Sequence, residues 1–185
     1  MSTGTLVAII ILVVVVVAVI AVATSLMVRR RRLRERFGPE YERTVEDAGS
    51  RREAERDLST REKRHDELDI KPLSGSVRDR YARDWESVQG DFVDRPEDAV
   101  QDADLLVTSL MRERGYPTED LTQRLKDLSV EHGRTLEHYR AAHDVNQLSM
   151  KHEATTEQLR GAMVHYRVLF DELLTDGGQA RDARA

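Results

Sequence analysis

Residues 6–28 constrain this chain more than any other stretch: a run of 23 residues in which Thr24 and Ser25 alone are polar. At about 1.5 Å per residue a helix of that length reaches roughly 34 Å, enough to cross a hydrocarbon core of about 30 Å. A lone segment in lipid can satisfy its own backbone groups only as a helix, so the run predicts a transmembrane helix. A cleaved signal peptide would show a basic start, a shorter apolar core and a small-residue cleavage site. Here residues 1–5 carry no charged side chain, and Arg29, Arg30, Arg31, Arg32, Arg34 and Arg36 come directly after the run. Positive flanks stay on the cytoplasmic side, which predicts a cell-membrane protein with its N-terminus outside and the rest cytoplasmic. The same six arginines are the expected contacts for anionic membrane lipid headgroups, at about 1 kcal/mol per side chain near the surface.

Charge separates this flank from the remainder of the chain. Residues 29–36 hold six arginines and one glutamate, and the other 23 basic and 33 acidic side chains leave the rest at a formal −10. An acidic body repels phosphate backbones, so nucleic acid is not an expected partner. The absence of cysteine removes disulfides, thiol nucleophiles and thiolate metal sites.

In chain order, residues 1–5 are read as an extracytoplasmic N-terminus, 6–28 as the span and 29–39 as a polybasic juxtamembrane segment closed by a Phe37, Gly38, Pro39 helix stop. Residues 40–73 read as a charged helical linker: 17 of the 29 residues from Glu40 to Leu68 are charged. Tyr41, Val45, Ala48, Ala54 and Leu58 are too few for a sustained heptad seam. A solvated spacer is the expectation, broken at Gly49 and Ser50. The alternative is a short dimeric coiled coil, a homodimer formed through this linker or the transmembrane helix.

From residue 74 the pattern turns amphipathic. Val77, Tyr81, Trp85, Val88 and Phe92 recur at helical spacing, as do Ala99, Ala103, Leu106 and Leu110. Asp94 is the expected cap before Pro96, and Gly115 ends that helix. Thr118 is expected to cap a short helix through Leu121, Leu125 and Leu128. A further helix over residues 134–150 carries Leu136, Tyr139 and His143. Thr155 and Gln158 form a capping box for a last helix with the face Leu159, Met163, Tyr166, Leu169, Phe170 and Leu173. The fold class is therefore all-α: a transmembrane helix, a charged helical connector and a cytosolic bundle of about five helices over residues 74–175, with residues 176–185 a disordered tail.

The six histidines do not fall at metal-ligand spacing on one helix face: His132 to His138 is six residues and His138 to His143 is five. A His-Tyr-Arg triplet occurs at both 138–140 and 165–167, where each tyrosine is expected to pack inward, with a shared polar pocket as the alternative. No nucleophile elbow, phosphate loop or dinucleotide fingerprint occurs. No catalytic, cofactor-binding or metal-ligating residue is assigned. Arg112, Arg114 and Tyr116, at a turn closed by Pro117, are the candidate partner contacts, because arginine and tyrosine dominate binding hot spots. The competing reading is a helix cap with Tyr116 lying on the bundle.

The order Arg36-Phe37-Gly38-Pro39-Glu40-Tyr41, then Leu68 with Pro72-Leu73, then Arg80-Tyr81, Trp85, Val88-Gln89 and Phe92, then Arg112-Glu113-Arg114-Gly115-Tyr116-Pro117, and last His138-Tyr139-Arg140-Ala141-Ala142-His143 spans nearly the whole chain. It resembles an uncharacterised family of short single-pass membrane proteins widespread in actinobacteria. The resemblance implies topology and domain layout and adds no catalytic residue.

The function expected from these features is non-catalytic: a tethered adaptor on the cytosolic face that binds an unidentified protein partner. The alternative is a small ligand-binding protein or enzyme with a pocket between the bundle helices that carry Tyr139 and Tyr166. A filled core with an exposed apolar patch favours the first, and a pocket of about 300 Å³ or more with converging His138, His165 or acidic groups favours the second.

Overall fold

The computed structural model describes residues 3–175, so the expected tail at 176–185 and the first two residues of the expected N-terminal segment lie outside the described residues. Those residues form eight helices and no strand: α1 (Thr3–Phe37), α2 (Pro39–Ala48), α3 (Arg51–Asp66), α4 (Gly75–Asp91), α5 (Pro96–Arg114), α6 (Leu121–His132), α7 (Leu136–Ser149) and α8 (Thr156–Thr175).

The apolar run and the arginines after it belong to one uninterrupted 35-residue helix, α1. Its stretch Ile11–Phe37 is long and apolar enough to cross a membrane. From Ile11 to Val28 its large side chains are exposed, whereas Leu33 and Phe37 on the same helix are buried. Proline at the start of α2 and of α5 needs no N–H bond there, and serine or aspartate side chains cap others. Ser50 accepts from the Glu53 N–H at 3.3 Å, Ser74 from Val77 at 3.3 Å, and Asp120 from Gln123 at 2.7 Å. The Thr155–Gln158 capping box forms in both directions. Two expected caps do not form: Arg95, not Asp94, precedes α5, and α6 begins at Leu121 behind Asp120, with Thr118 buried in the preceding loop.

Helices α4, α5, α7 and α8 enclose the main core, with Leu128 of α6 closing it. Most of the expected stripe residues face inward: Tyr81, Trp85, Ala99, Ala103, Leu110, Tyr139, Leu159, Tyr166 and Phe170 are buried, while Val77, Val88, Phe92 and Leu106 are half-buried against the core. Trp85 stacks on Phe170 at 4.6 Å between ring centroids, binding α4 to α8.

The charged connector is not a free spacer. Residues 40–68 fold as the hairpin α2–α3, which packs on the end of α1 and on α6. Leu33, Phe37, Tyr41, Leu58 and Val130 form a second core at this junction. Tyr41, Ala54 and Leu58, the side chains a dimeric coiled coil would need, are fully buried within the chain itself. The domain layout therefore differs from the expected one: the connector and the polybasic segment join the bundle, and α6 serves both cores.

Candidate functional site

The end of α1 carries the cationic residues, and the structure gives most of them partners inside the chain. Arg29 donates to Ser59 at 2.7 Å, Arg32 to Glu62 at 2.9 Å, and Arg36 to Glu62 at 2.6 Å and to Asp66 at 3.3 Å. Arg34 pairs with Glu42 at 2.5 Å and Arg31 with Glu35 at 2.8 Å, both well exposed. Arg30 is half-buried beside Tyr41. Of the six arginines expected at headgroups, Arg32 and Arg36 are thus largely committed to the acidic face of α3, and Arg29, Arg30 and Arg31 lie nearest the apolar run.

A buried charge cluster locks the hairpin to the bundle. Glu40, 5% exposed, receives both terminal nitrogens of Arg140 at 2.8 Å, and Arg61 reaches it at 3.3 Å. Burial alone would lower the Arg140 pKa, but the hydrogen bonds and charge of Glu40 outweigh it and raise it, so this cation stays charged. Arg64 donates to the fully buried Asp127 at 3.1 Å, and Arg43 pairs with Glu137 at 2.8 Å.

Beside it lies a second polar group that the sequence did not suggest. His132 shares its Nδ1 with Glu172 at 2.9 Å and its Nε2 with the Tyr116 hydroxyl at 3.3 Å, and that hydroxyl donates to Glu131 at 3.1 Å. This carboxylate–imidazole–hydroxyl chain has the order of an acid–base relay. His132 is fully buried and Tyr116 is 2% exposed, while Glu172 and Glu131 at the two ends reach the surface. This group ties α6 to α8 and to the turn after α5. Tyr116 and Arg114 are therefore corrected as partner contacts: both are interior, and Arg114 donates to the Leu173 carbonyl at 3.1 Å. Arg112 is exposed and holds Thr118. Gly115, at φ 98°, makes the turn that puts Tyr116 inside, and a Cβ there would strike the Asp69 carbonyl.

His65, buried on α3 against this group, titrates at the joint. Its Nε2 faces Glu131 Oε1 at 3.9 Å, and its ring lies 6.1 Å from that of Tyr116. Burial lowers its pKa below the ordinary 6.5, outweighing the attraction of Glu131. The folded state thus holds neutral imidazole while the unfolded chain takes up a proton near 6.5. The stability is intact above that pH and falls as the pH drops below it. Glu172 adds a later loss: burial pushes its carboxyl up, but hydrogen bonds from His132 and Thr135 prevail and hold it below the ordinary 4.5. Urea unfolding midpoints should therefore fall on acidification in two stages, and His65→Gln should flatten the first stage alone.

The matching His-Tyr-Arg triplets do meet. Tyr139 and Tyr166 pack edge to face at 6.1 Å between centroids, and both are fully buried. Tyr166 donates to Asp104 at 2.8 Å, while Arg124 donates to the Tyr139 hydroxyl at 2.8 Å. Burial first, and then the Asp104 carboxylate, push both hydroxyls upward, so each stays a neutral phenol. His138 and His165 face each other with Nδ1 atoms 2.9 Å apart, a distance that needs one ring to donate and the other to accept. The space expected for a shared pocket is filled by the tyrosines. A cleft of about 350 Å³ lies elsewhere, between the start of α5 and the end of α7, lined by Glu97, Asp98, Gln101, Asn146, Ser149, Met150 and His152. Among the described residues no group of three or more histidine or acidic side chains is placed to hold a metal ion.

No protein-family model, curated protein or solved structure matches this chain, and the resemblance read from its motifs stands on those motifs alone.

Proposed function

We propose that this chain is a single-pass membrane protein in which α1 crosses the cell membrane with its N-terminus outside, presenting the helical domain on the cytosolic face as a non-catalytic module that binds another protein. The observation that carries this reading is the double character of α1: one continuous helix with thirteen large apolar side chains exposed between Ile11 and Val28, yet with Leu33 and Phe37 in a folded core. At roughly 1.5 kcal/mol or more per large aliphatic side chain, leaving those thirteen in water costs on the order of 20 kcal/mol. Lipid removes that cost, and the arginines after Val28 favour the cytosolic side for the helical domain.

The packing of α7 against α8 is in keeping with a module, because Tyr139 and Tyr166 occupy the space between these helices and are fully buried. Tethering at a membrane raises the effective concentration of a weakly bound partner without a large interface. The docked connector adds a restriction, since it fixes the height and heading of the domain instead of lending it reach. Proximity labelling from the C-terminus in living cells tests this. The expected result is a discrete set of proteins enriched over a control carrying only residues 1–37, and identical profiles for the two would overturn the adaptor reading.

A further inference from the structure

The arginines of α1 that pair with α3 also fix where the α2–α3 turn lies along α1. Arg29 meets Ser59, Arg32 meets Glu62 and Arg36 meets Asp66, three contacts with offsets of 30 residues. α3 therefore runs parallel to the end of α1 and alongside it. Since α3 begins eight residues before Ser59, its first turn lies about 12 Å nearer the apolar run than the Arg29 contact when the axes are aligned. α2 gives an independent measure: its ten residues climb back about 15 Å from Pro39, antiparallel to α1, as the Arg34 contacts with Glu42 and Tyr41 require. Phe37 and Val28 are nine residues apart, about 13 Å along the helix. The α2 route brings residues 49–52 about level with Val28, and the α3 route carries them past it, toward the level of Ala21.

We propose that this turn, through Arg51 and Arg52, seats in the layer of anionic phospholipid headgroups beside Arg29 and Arg30, so that the domain touches the bilayer at a second point. The proposal rests on the reading of α1 as a membrane span. A core of about 30 Å takes about 20 residues of the run, which leaves Leu26, Met27 and Val28 among the headgroups, at the level that α2 gives the turn. The tip has the matching chemistry. Arg51 and Arg52 are exposed, neither has a carboxylate partner among the described residues, and residues 49–52 contain no acid. Glu46, Asp47 and Glu53 flank the tip, Asp47 facing Arg43 at 4.0 Å. Two free guanidinium groups held against lipid phosphates gain charge-assisted hydrogen bonds that they lack within the chain.

The chain contains no cysteine, so single cysteines report cleanly. The full chain is reconstituted in phosphatidylcholine vesicles with and without phosphatidylserine, carrying an environment-sensitive fluorophore at Ser50→Cys. Asp47→Cys serves as a second site that leaves the α3 cap intact, Val93→Cys as a control on the α4–α5 loop, and Val17→Cys as the report on the span. Nitroxide lipids labelled in the headgroup or in the acyl chain are the quenchers. The expected pattern is acyl-chain quenching at Val17→Cys and headgroup quenching at positions 50 and 47 several-fold above that at Val93→Cys. The phosphatidylserine-dependent part at positions 50 and 47 should be lost on Arg51→Glu with Arg52→Glu. Quenching at Val17→Cys with none at 50 or 47 overturns the second contact and leaves the span intact. No acyl-chain quenching at Val17→Cys overturns both.

Discussion

Replacing Glu40 with alanine is expected to lower the unfolding free energy by about 3–5 kcal/mol, the usual cost of stranding buried cations by removing their counter-ion. Glu40 is 5% exposed, and the side chains of Arg61 and Arg140 that converge on it are 11% and 16% exposed. Without the carboxylate the two guanidinium groups face each other with little water to separate them. For a chain of this size the loss corresponds to a fall in melting temperature on the order of 10 °C, measured by circular dichroism in detergent micelles. Glu42→Ala is the matched control: its pair with Arg34 is exposed on both sides, so the change should stay within about 1 kcal/mol. Glu40→Leu combined with Arg140→Leu should recover much of the loss, because removing both partners leaves fewer buried charges unmatched. A Glu40→Ala effect no larger than that of Glu42→Ala would mean that the cluster is solvated and that the hairpin is not locked to α7.

Gly133→Ala should have the next largest effect, about 2–3 kcal/mol, for a reason of space rather than charge. The backbone of Gly133 is ordinary, so alanine would be tolerated in isolation. In the folded chain an added Cβ would overlap the Phe37 carbonyl oxygen and come within 3.0 Å of the Ser129 carbonyl oxygen. Backbone cannot swing aside as a side chain can, so the end of α1 must move off α6, opening the core of Leu33, Phe37, Tyr41, Leu58 and Val130. Amide exchange should localise the damage, with protection falling over residues 33–45 while α5 and α8 keep theirs. Gly161→Ala supplies the opposite sign. It lies in the α8 helix with nothing within 4 Å of the added carbon, and should stabilise by about 0.5–1 kcal/mol.

These two positions mark the limit of what could be read before the fold was known. Periodicity was sufficient for the bundle helices, because Tyr81 and Trp85, or Leu159 and Phe170, announce their face through neighbours three and four residues away. The stops at Gly38, Gly49 and Gly115 were legible for the same local reason. The docking of residues 40–68 was not. Its signal is charge, and 17 charged residues in 29 look alike whether they face water or one another. The pairings that decide the matter join Arg32 to Glu62 across 30 residues and Glu40 to Arg140 across 100. No window of local sequence contains them. For Tyr116 the sequence offered two placements, a partner contact or a ring lying on the bundle, and only His132 and Glu131 around its hydroxyl decide for the second. The triplets at 138 and 165 were noticed, but only the α7–α8 hairpin turns two matching words into one contact.

The unbroken passage of α1 into the core of Leu33 and Phe37 has a mechanical consequence. With no joint between the apolar rod and the domain, the rod works as an axle, and any roll about its long axis swings the whole helical domain with it. One extra alanine inserted after Val28 would keep every contact from Leu33 onward and yet swivel that mass by about 100° about the rod, carrying Arg51 and Arg52 to a different bearing. The compass direction in which this protein faces its neighbours is therefore written in helical phase, one residue at a time.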